Sequence, residues 1–156
     1  MQRRYINCDS EICTGCQLCE FACSAAKKGE LNIELSRIKL VRVKSDLMMS
    51  LACRFCEDAP CIAACPREAL SWDEEQGIIV LNRVRCTGCG WCLEACDFGA
   101  ITIDPSTKSA LICDLCIDQK EPHCVRVCPK EALKLTAFEV TGQKARLRAM
   151  KRLGTG

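Results

Sequence analysis

The stretch CTGCGWCLEAC at residues 86–96 decides the fold of this chain. Its cysteines follow the spacing C-x2-C-x2-C-x3-C, which CTGCQLCEFAC repeats at residues 13–23. Three cysteines at i, i+3 and i+6 can wrap one loop around a compact metal cluster, with each thiolate on a different iron. The spacing therefore predicts iron–sulfur ligands. The eight cysteines of the two copies are Cys13, Cys16, Cys19 and Cys23, and then Cys86, Cys89, Cys92 and Cys96.

Two further cysteine groups alternate with these. Each has a C-x2-C pair and ends in Cys-Pro, a basic residue and Glu-Ala-Leu, as in CPREAL at residues 65–70 and CPKEAL at residues 128–133. The order of the four groups indicates a duplicated unit of two motifs. The cysteines of these groups are Cys53, Cys56, Cys61 and Cys65, and then Cys113, Cys116, Cys124 and Cys128.

Composition supports a metal-held fold. Cysteine makes up 17 of the 156 residues, whereas aromatic residues are only 4%. Because so few large side chains make a thin apolar core, disulfides or metal must hold the chain together. The odd number of cysteines, their tight clusters and an N-terminus without an apolar signal segment argue against disulfides and predict a cytoplasmic protein. Zinc is the alternative metal, but zinc ribbons usually pair two distant CxxC elements.

Several function classes find no support in the sequence. The net charge of +2 indicates neither nucleic acid nor an acidic partner. No apolar run approaches the roughly eighteen residues of a membrane span. The chain contains no GxGxxG motif, P-loop or Ser-His-Asp set, so we expect no catalytic residue and no nucleotide or flavin site.

Short apolar stretches between the cysteine groups predict small β-hairpin strands at residues 38–43, 78–81, 101–103 and 111–112. We expect short helical turns after the fourth cysteine of each group, as in PREAL and PKEAL. Together these elements predict an α+β fold with short β-hairpins and short helices.

At these motifs the sequence resembles the four-cluster ferredoxin-like electron-transfer subunits of multisubunit oxidoreductases. Such subunits serve formate dehydrogenase, dimethyl sulfoxide reductase, carbon monoxide dehydrogenase and tungsten aldehyde oxidoreductase. The resemblance covers about residues 5–135. It implies four [4Fe-4S] clusters in two ferredoxin-like lobes. One lobe would comprise residues 1–52 and 104–137, and the other residues 53–103.

The resemblance also implies nested ligand sets, in which the fourth cysteine of each group serves a cluster of another group. The motifs and short strands of the segment 53–103 by themselves indicate a complete small ferredoxin. Spacing alone leaves open that neighbouring groups pair instead, the first with the second and the third with the fourth. The implied sets are Cys13, Cys16 and Cys19 with Cys128; Cys113, Cys116 and Cys124 with Cys23; Cys53, Cys56 and Cys61 with Cys96; and Cys86, Cys89 and Cys92 with Cys65.

Some residues near the motifs call for separate expectations. Asp97 and Ser24 follow fourth cysteines where the family usually has proline, and we expect Asp97 to be an exposed loop carboxylate. His123 is expected in a surface loop, because the ligand count is complete without it. Cys8 stands outside the groups and is expected to be a free structural thiol.

Aromatic residues beside the cysteines, Phe55, Trp91 and Phe98, are expected to be ordinary packing residues. The C-terminal segment, residues 138–156, differs in composition and predicts a basic helix or tail. It is expected to be solvated or docked on an acidic partner. Its basic residues are Lys144, Arg146, Arg148, Lys151 and Arg152.

The sequence thus predicts a non-catalytic subunit that relays single electrons through four clusters. It would connect a large catalytic oxidoreductase subunit with a flavoprotein subunit, a ferredoxin or further copies of itself. For the catalytic partner we expect a tungsten or molybdenum enzyme acting on an aldehyde or formate. The alternatives are a freely diffusing polyferredoxin and a zinc-binding interaction module.

Overall fold

The computed structural model describes residues 3–44 and 46–153. In the last helix, the side chains of residues 144, 145, 148 and 151–153 lie outside the described part. The helices are α1 Leu18–Lys28, α2 Pro60–Ala63, α3 Trp91–Glu94, α4 His123–Arg126 and α5 Phe138–Leu153, with a 3-10 turn at Ile33–Leu35. The strands are β1 Arg4–Cys8, β2 Lys39–Lys44, β3 Leu47–Leu51, β4 Leu70–Asp73, β5 Ile78–Leu81, β6 Thr102–Ile103, β7 Ala110–Leu111 and β8 Leu133–Ala137.

The strands form four antiparallel sheets of two strands each among the described residues. Strands β2–β3, β4–β5 and β6–β7 are hairpins. Strand β1 pairs with β8, in register from Arg4 opposite Ala137 to Cys8 opposite Leu133. The first and last parts of the chain are therefore joined, and the middle part lies between them in sequence.

The helices repeat this nesting. Helix α1, in the first cysteine group, packs against α4 in the fourth, and α2 in the second group packs against α3 in the third. Helix α1 ends at Gly29, whose left-handed backbone lets its N–H reach the carbonyl of Ala25 at 2.9 Å. Helix α2 starts at Pro60, because proline is favoured in the first turn of a helix.

The prediction of an α+β fold with small strands and short helices is confirmed, and the strand bounds were right to within about one residue at β2, β5, β6 and β7. The helical turns expected in PREAL and PKEAL were wrong. The short helices precede the fourth cysteines, and after them comes a turn with left-handed residues at Glu68 and Glu131. This turn directs the N–H of Ala69 to the sulfur of Cys65, and the chain then enters strand β4.

The core is thin in large apolar side chains and contains many cysteines, as the composition predicts. Its largest fully buried apolar side chains include Tyr5, Phe55, Ile38, Ile78 and Leu111, and seven motif cysteines are buried among such residues. In the part of the chain that the structure describes, no helix is both long enough and apolar enough to cross a membrane.

Candidate metal centres

The first cysteine group encloses a cavity of about 360 Å³ together with the last cysteine of the fourth group. The loop of residues 13–19 forms one wall, and Pro129 to Leu133 help to form the other. Cysteines from opposite ends of the chain meet here because β1 and β8 pair. The four cysteines that line the cavity are Cys13, Cys16, Cys19 and Cys128.

The third group forms an equivalent cavity of about 350 Å³. Its fourth cysteine comes from the second group, in the turn that follows α2. The near-equal volumes reflect the shared C-x2-C-x2-C loop. The cysteines that line this cavity are Cys65, Cys86, Cys89 and Cys92.

The second group lies close to the last cysteine of the third. Burial and, after it, the negative charges of Cys61, Cys96 and Cys56 raise the pKa of the Cys53 thiol to about 12. For Cys61, burial and nearby charges raise the pKa to about 11, and Cys96 is the largest electrostatic cause. Such effects require proximity, so Cys96 sits with the second group.

The fourth group lies close to Cys23, the last cysteine of the first. Burial raises the pKa of Cys124, and the charge of Cys23 is its largest electrostatic cause. Cys23 also raises the pKa of Cys113 and Cys116. Electrostatic effects thus place Cys23 near the fourth group and Cys96 near the second. Which four cysteines share one cluster stays a prediction.

The four cysteine sets adjoin one another in a definite order. Cys19 of the first cavity influences Cys124 of the set that contains Cys23. In that set Cys113 is influenced by Cys53, and Cys61 in the next set by Cys92 of the second cavity. Each of the two cavities therefore has one of the other two sets as a neighbour, and those two sets neighbour each other.

Backbone N–H groups point at several of the sulfurs. Phe55 donates to Cys53 and Leu115 donates to Cys113, each at 3.4 Å. Both donors have left-handed backbones, with φ of 50° and 54°, which is uncommon for residues other than glycine. In each case the N–H points at the sulfur two residues earlier. Spacing gave no signal for these two residues.

Other N–H···S bonds involve the fourth cysteines. Ala69 donates to Cys65 at 3.3 Å and Ala100 donates to Cys96 at 3.4 Å. Burial acts to raise the pKa of Cys65, but the backbone N–H donors around it outweigh burial and lower the pKa. Such donors favour the thiolate form, which is the form that binds metal.

A cluster of charged residues surrounds the loop between Cys113 and Cys116. The Asp114 carboxylate accepts hydrogen bonds from the Arg37 guanidinium and pairs with the Lys27 ammonium at 2.9 Å. Burial acts to raise the pKa of Asp114, but the two cations hold it below its ordinary value. Sequence reasoning missed this cluster because Asp114 lies 77 positions from Arg37 and still further from Lys27.

Several expectations for single residues can now be compared with the structure. Asp97 is exposed, as expected. Phe55 is buried as a packing residue, but the packing expected of Trp91 and Phe98 was wrong, since their side chains are 61% and 41% exposed. His123 is half-buried and starts helix α4 instead of lying in a loop.

Cys8 is buried, and its expected role as a free structural thiol stays a prediction. Its sulfur accepts the Ser50 N–H at 3.3 Å, and burial raises its pKa to about 12. The charge of Cys13 also raises this pKa, so Cys8 lies beside the first cavity without lining it.

The donor sets suit iron–sulfur clusters. A [4Fe-4S] cluster takes four thiolates, each on a different iron, and its sulfurs accept hydrogen bonds. Two sets of four thiols line cavities, and backbone N–H groups donate to several of the cysteine sulfurs. Within the described residues, no three His, Cys, Asp or Glu side chains converge as closely as one metal ion requires.

Comparison with known proteins identifies the family. Residues 45–138 match the family described as the 4Fe-4S dicluster domain. The protein belongs to the 4Fe-4S dicluster domain family. The match covers the second, third and fourth cysteine groups, and the first group lies ahead of it.

Relatives of this dicluster protein extend the likeness to the first group. The polyferredoxin-like subunit of aliphatic sulfonate oxidoreductase from Pyrococcus furiosus is 37% identical over 137 residues, which cover 86% of this chain and 78% of the relative. The thiosulfate reductase electron transfer subunit PhsB from Salmonella typhi is 34% identical over 140 residues, covering 81% and 71%.

A solved structure resembles the fold. One polypeptide of the active site complex BamBC of benzoyl coenzyme A reductase, in complex with benzoyl-CoA, aligns with a TM-score of 0.55 and 26% identity, covering 95% of this chain and 91% of that one. Like its relatives, this dicluster protein is an iron–sulfur electron-transfer subunit, and [4Fe-4S] clusters are its cofactors.

Proposed function

We propose that the chain is a non-catalytic relay with four [4Fe-4S] clusters in a row, connecting a catalytic oxidoreductase subunit to a second redox partner. The clusters supply reversible one-electron chemistry. The chain supplies the ligands, their order and the surroundings of each set. The observation that carries the proposal is that each cavity neighbours one of the other two cysteine sets and that those two sets neighbour each other.

The ligand sets proposed are nested. Cys128 completes the set of Cys13, Cys16 and Cys19, and Cys65 completes the third group's set. The cavity linings support these two sets, and mutual electrostatic effects support the other two. The two inner sets are those of Cys53, Cys56, Cys61 and Cys96, and of Cys23, Cys113, Cys116 and Cys124.

The nesting also supports two ferredoxin-like lobes. The β1–β8 pair and the α1–α4 contact belong to an outer lobe, whereas β4–β5 and α2–α3 belong to an inner lobe. The hairpin β6–β7 crosses the boundary at residue 104, and the N–H of Ala110 donates to Cys86 at 3.4 Å. We therefore extend the inner lobe from residue 103 to residue 112.

Exposure supports entry and exit at the two ends of the row. Among the cysteines of the described residues, only Cys16 and Cys89 are exposed, and they occupy equivalent positions in the two end cavities. Each stands two residues before an exposed large side chain, Leu18 at 46% and Trp91 at 61%. Exposed aromatic and aliphatic residues of this kind are common in protein interfaces.

The partner is proposed from the relatives. An aliphatic sulfonate oxidoreductase and a thiosulfate reductase contain such subunits, so we propose a large catalytic oxidoreductase subunit as one partner. A flavoprotein subunit, a ferredoxin or another copy of the chain would be the second. A tungsten or molybdenum enzyme for an aldehyde or formate stays a prediction for the catalytic subunit, as does a cytoplasmic location.

Metal content tests the cofactor set. Anaerobically purified protein is expected to contain about sixteen iron and about sixteen acid-labile sulfide per chain, since each of four cubanes has four of each. About eight iron would contradict four clusters, and zinc in place of iron would support the interaction module instead.

Reconstitution tests the relay. The chain is purified under native conditions with its co-eluting catalytic subunit, and activity is measured with a dye that accepts electrons directly from that subunit and with the physiological acceptor. Removal of the chain is expected to abolish activity with the physiological acceptor and to leave activity with the dye unchanged. Equal loss of both would indicate a structural role, and loss of neither would favour a free polyferredoxin.

A further inference from the structure

Helix α1, the segment after it and the fourth cysteine group meet at one ionic cluster. Asp114 lies between Cys113 and Cys116, and its carboxylate faces Lys27 of α1 and Arg37. The side chains of Lys27 and Arg37 are only 12% and 13% exposed, and that of Asp114 is 29% exposed. This degree of burial distinguishes the ionic cluster from a surface ion pair, in which solvent screens most of the charge.

The same residues are bonded to the proposed ligands. The backbone N–H of Arg37 donates to the Cys23 sulfur at 3.3 Å, while its guanidinium binds Asp114. The other carboxylate oxygen of Asp114 accepts the Cys116 N–H at 3.1 Å. The ionic cluster is therefore in direct contact with the cysteine set of Cys23, Cys113, Cys116 and Cys124.

The charges of the ionic cluster do not cancel each other. Lys27 and Arg37 contribute two positive charges and Asp114 one negative charge. Asp118, whose side chain is 65% exposed, approaches Lys27 at 3.5 Å and is screened more strongly by solvent. Within the described part of the chain, the buried Nε of Arg37 has no hydrogen-bond partner, so its charge is only partly compensated.

We propose that Lys27, Arg37 and Asp114 set the reduction potential of the cluster held by Cys23, Cys113, Cys116 and Cys124. The inference rests on the proposed ligand sets and adds a role for residues that bind no iron. Reduction adds one electron and hence one negative charge to the cluster. A nearby positive charge favours that state and raises the potential, and a nearby carboxylate lowers it.

If these charges set the reduction potential, two substitutions that break the same ion pair are expected to shift the potential in opposite directions. Arg37→Gln removes a positive charge and is expected to lower the potential of this cluster. Asp114→Asn removes a negative charge and is expected to raise it. A purely structural salt bridge would be lost in both variants, and its loss would move the potential in the same direction in both. Lys27→Gln also removes a positive charge and is a second test of the expected decrease in the reduction potential.

The experiment is an EPR-monitored redox titration of the anaerobically purified, fully loaded protein. Each single substitution is expected to change the equilibrium constant for reduction of one cluster about tenfold, which is ~59 mV for one electron. The component that shifts is assigned by Cys116→Ser, which alters the EPR signal of the cluster at that ligand. The double variant Arg37→Gln/Asp114→Asn restores the original net charge and is expected to return the potential to within about twofold of wild type.

A control variant that removes a distant charge, together with the measured iron content, distinguishes the possible outcomes. Lys44→Gln removes one positive charge from the exposed end of β2 and is expected to leave all potentials unchanged, because solvent screens that site. Shifts of the same sign in Arg37→Gln and Asp114→Asn, or shifts below twofold with iron content intact, would overturn the inference. Absence of a cluster signal affected by Cys116→Ser would instead overturn the proposed ligand set.

Discussion

A methyl group added at Gly88 is expected to do far more damage than the same group added at Gly90, only two residues later. Both glycines have left-handed backbones, with φ of 67° and 84°. A Cβ at Gly90 would have no atom within 4 Å, whereas a Cβ at Gly88 would lie 2.9 Å from the carbonyl carbon of Lys108 and closer still to its oxygen. Gly90→Ala therefore carries only the backbone penalty, and Gly88→Ala adds a steric clash.

The clash at Gly88 is hard to relieve because the turn that carries Lys108 is held in place. The Lys108 N–H donates to the carbonyl of Asp104 at 2.9 Å. The Asp104 side chain is fully buried, accepts hydrogen bonds from Ser106 and Thr107, and pairs with Lys28. The carbonyl of Lys108 can move away only if these contacts are disturbed.

The magnitude follows from these two contributions. An alanine in the left-handed region costs roughly 1–2 kcal/mol, which is the whole effect expected for Gly90→Ala. Overpacking against a well-fixed group adds about 1–3 kcal/mol at Gly88. The difference of ~2 kcal/mol corresponds to an apparent midpoint about 4–8 °C lower in a chain of this size.

The assay is loss of the visible iron–sulfur absorbance on heating, at one scan rate, because cluster loss is irreversible. Iron content after purification is measured in parallel. The clash displaces the loop that carries Cys89, so Gly88→Ala is also expected to lose iron from the cavity of the third group. Equal midpoints and equal iron in Gly88→Ala and Gly90→Ala would refute the steric argument.

Three further predictions concern the ligands and the tail. Replacing Cys8 by Ser is expected to leave iron content and EPR signals unchanged, since the other sixteen cysteines fill four clusters; loss of about four iron would make Cys8 a ligand. Replacing Cys23 by Ala is expected to perturb the cluster of the fourth group, and an EPR change confined to the cluster of Cys13 would contradict the nested sets. Truncation after residue 143 keeps the contacts of Tyr5 with Phe138 (ring centroids 4.6 Å apart) and with the Thr141 hydroxyl (2.7 Å), and is expected to weaken complex assembly at low salt while leaving iron content unchanged. Assembly of the truncated protein at low salt as strong as that of the full chain in pull-down measurements would argue against an electrostatic role of the tail.

The tail illustrates what composition predicts and what it leaves out. The basic helix was expected from residues 138–156, and α5 covers Phe138–Leu153 of that segment. Residues 154–156 and the side chains of Lys144, Arg148, Lys151 and Arg152 lie outside the described residues, so the surface that they form stays a prediction. The contact of Phe138 with Tyr5 was not foreseen, because it depends on the pairing of strands β1 and β8.

Cysteine spacing determined the chemistry of the protein. The ligand triplets of the first and third groups each lie within seven residues, so the local loop is enough to indicate iron–sulfur chemistry. The arrangement of the cysteine groups depends on which distant segments pack together. Spacing left the pairing of neighbouring groups open. Because β1 pairs with β8 and α1 packs against α4, the first and fourth groups lie close together, and the nested ligand sets stay a prediction.

The two copies of Cys-Thr-Gly-Cys show, at their glycine position, the difference between what local sequence determines and what tertiary structure determines. Gly15 and Gly88 have the same neighbours in sequence and nearly the same φ, 65° and 67°. A Cβ at Gly15 would meet the flexible side chain of Met48, which can rotate away, whereas a Cβ at Gly88 would meet the backbone of Lys108. Local sequence determined that both positions need a left-handed residue in a tight loop. Tertiary structure alone decided that only one of them is closed to a methyl group, because the β2–β3 hairpin covers the first loop with a side chain and the β6–β7 turn covers the second with a carbonyl.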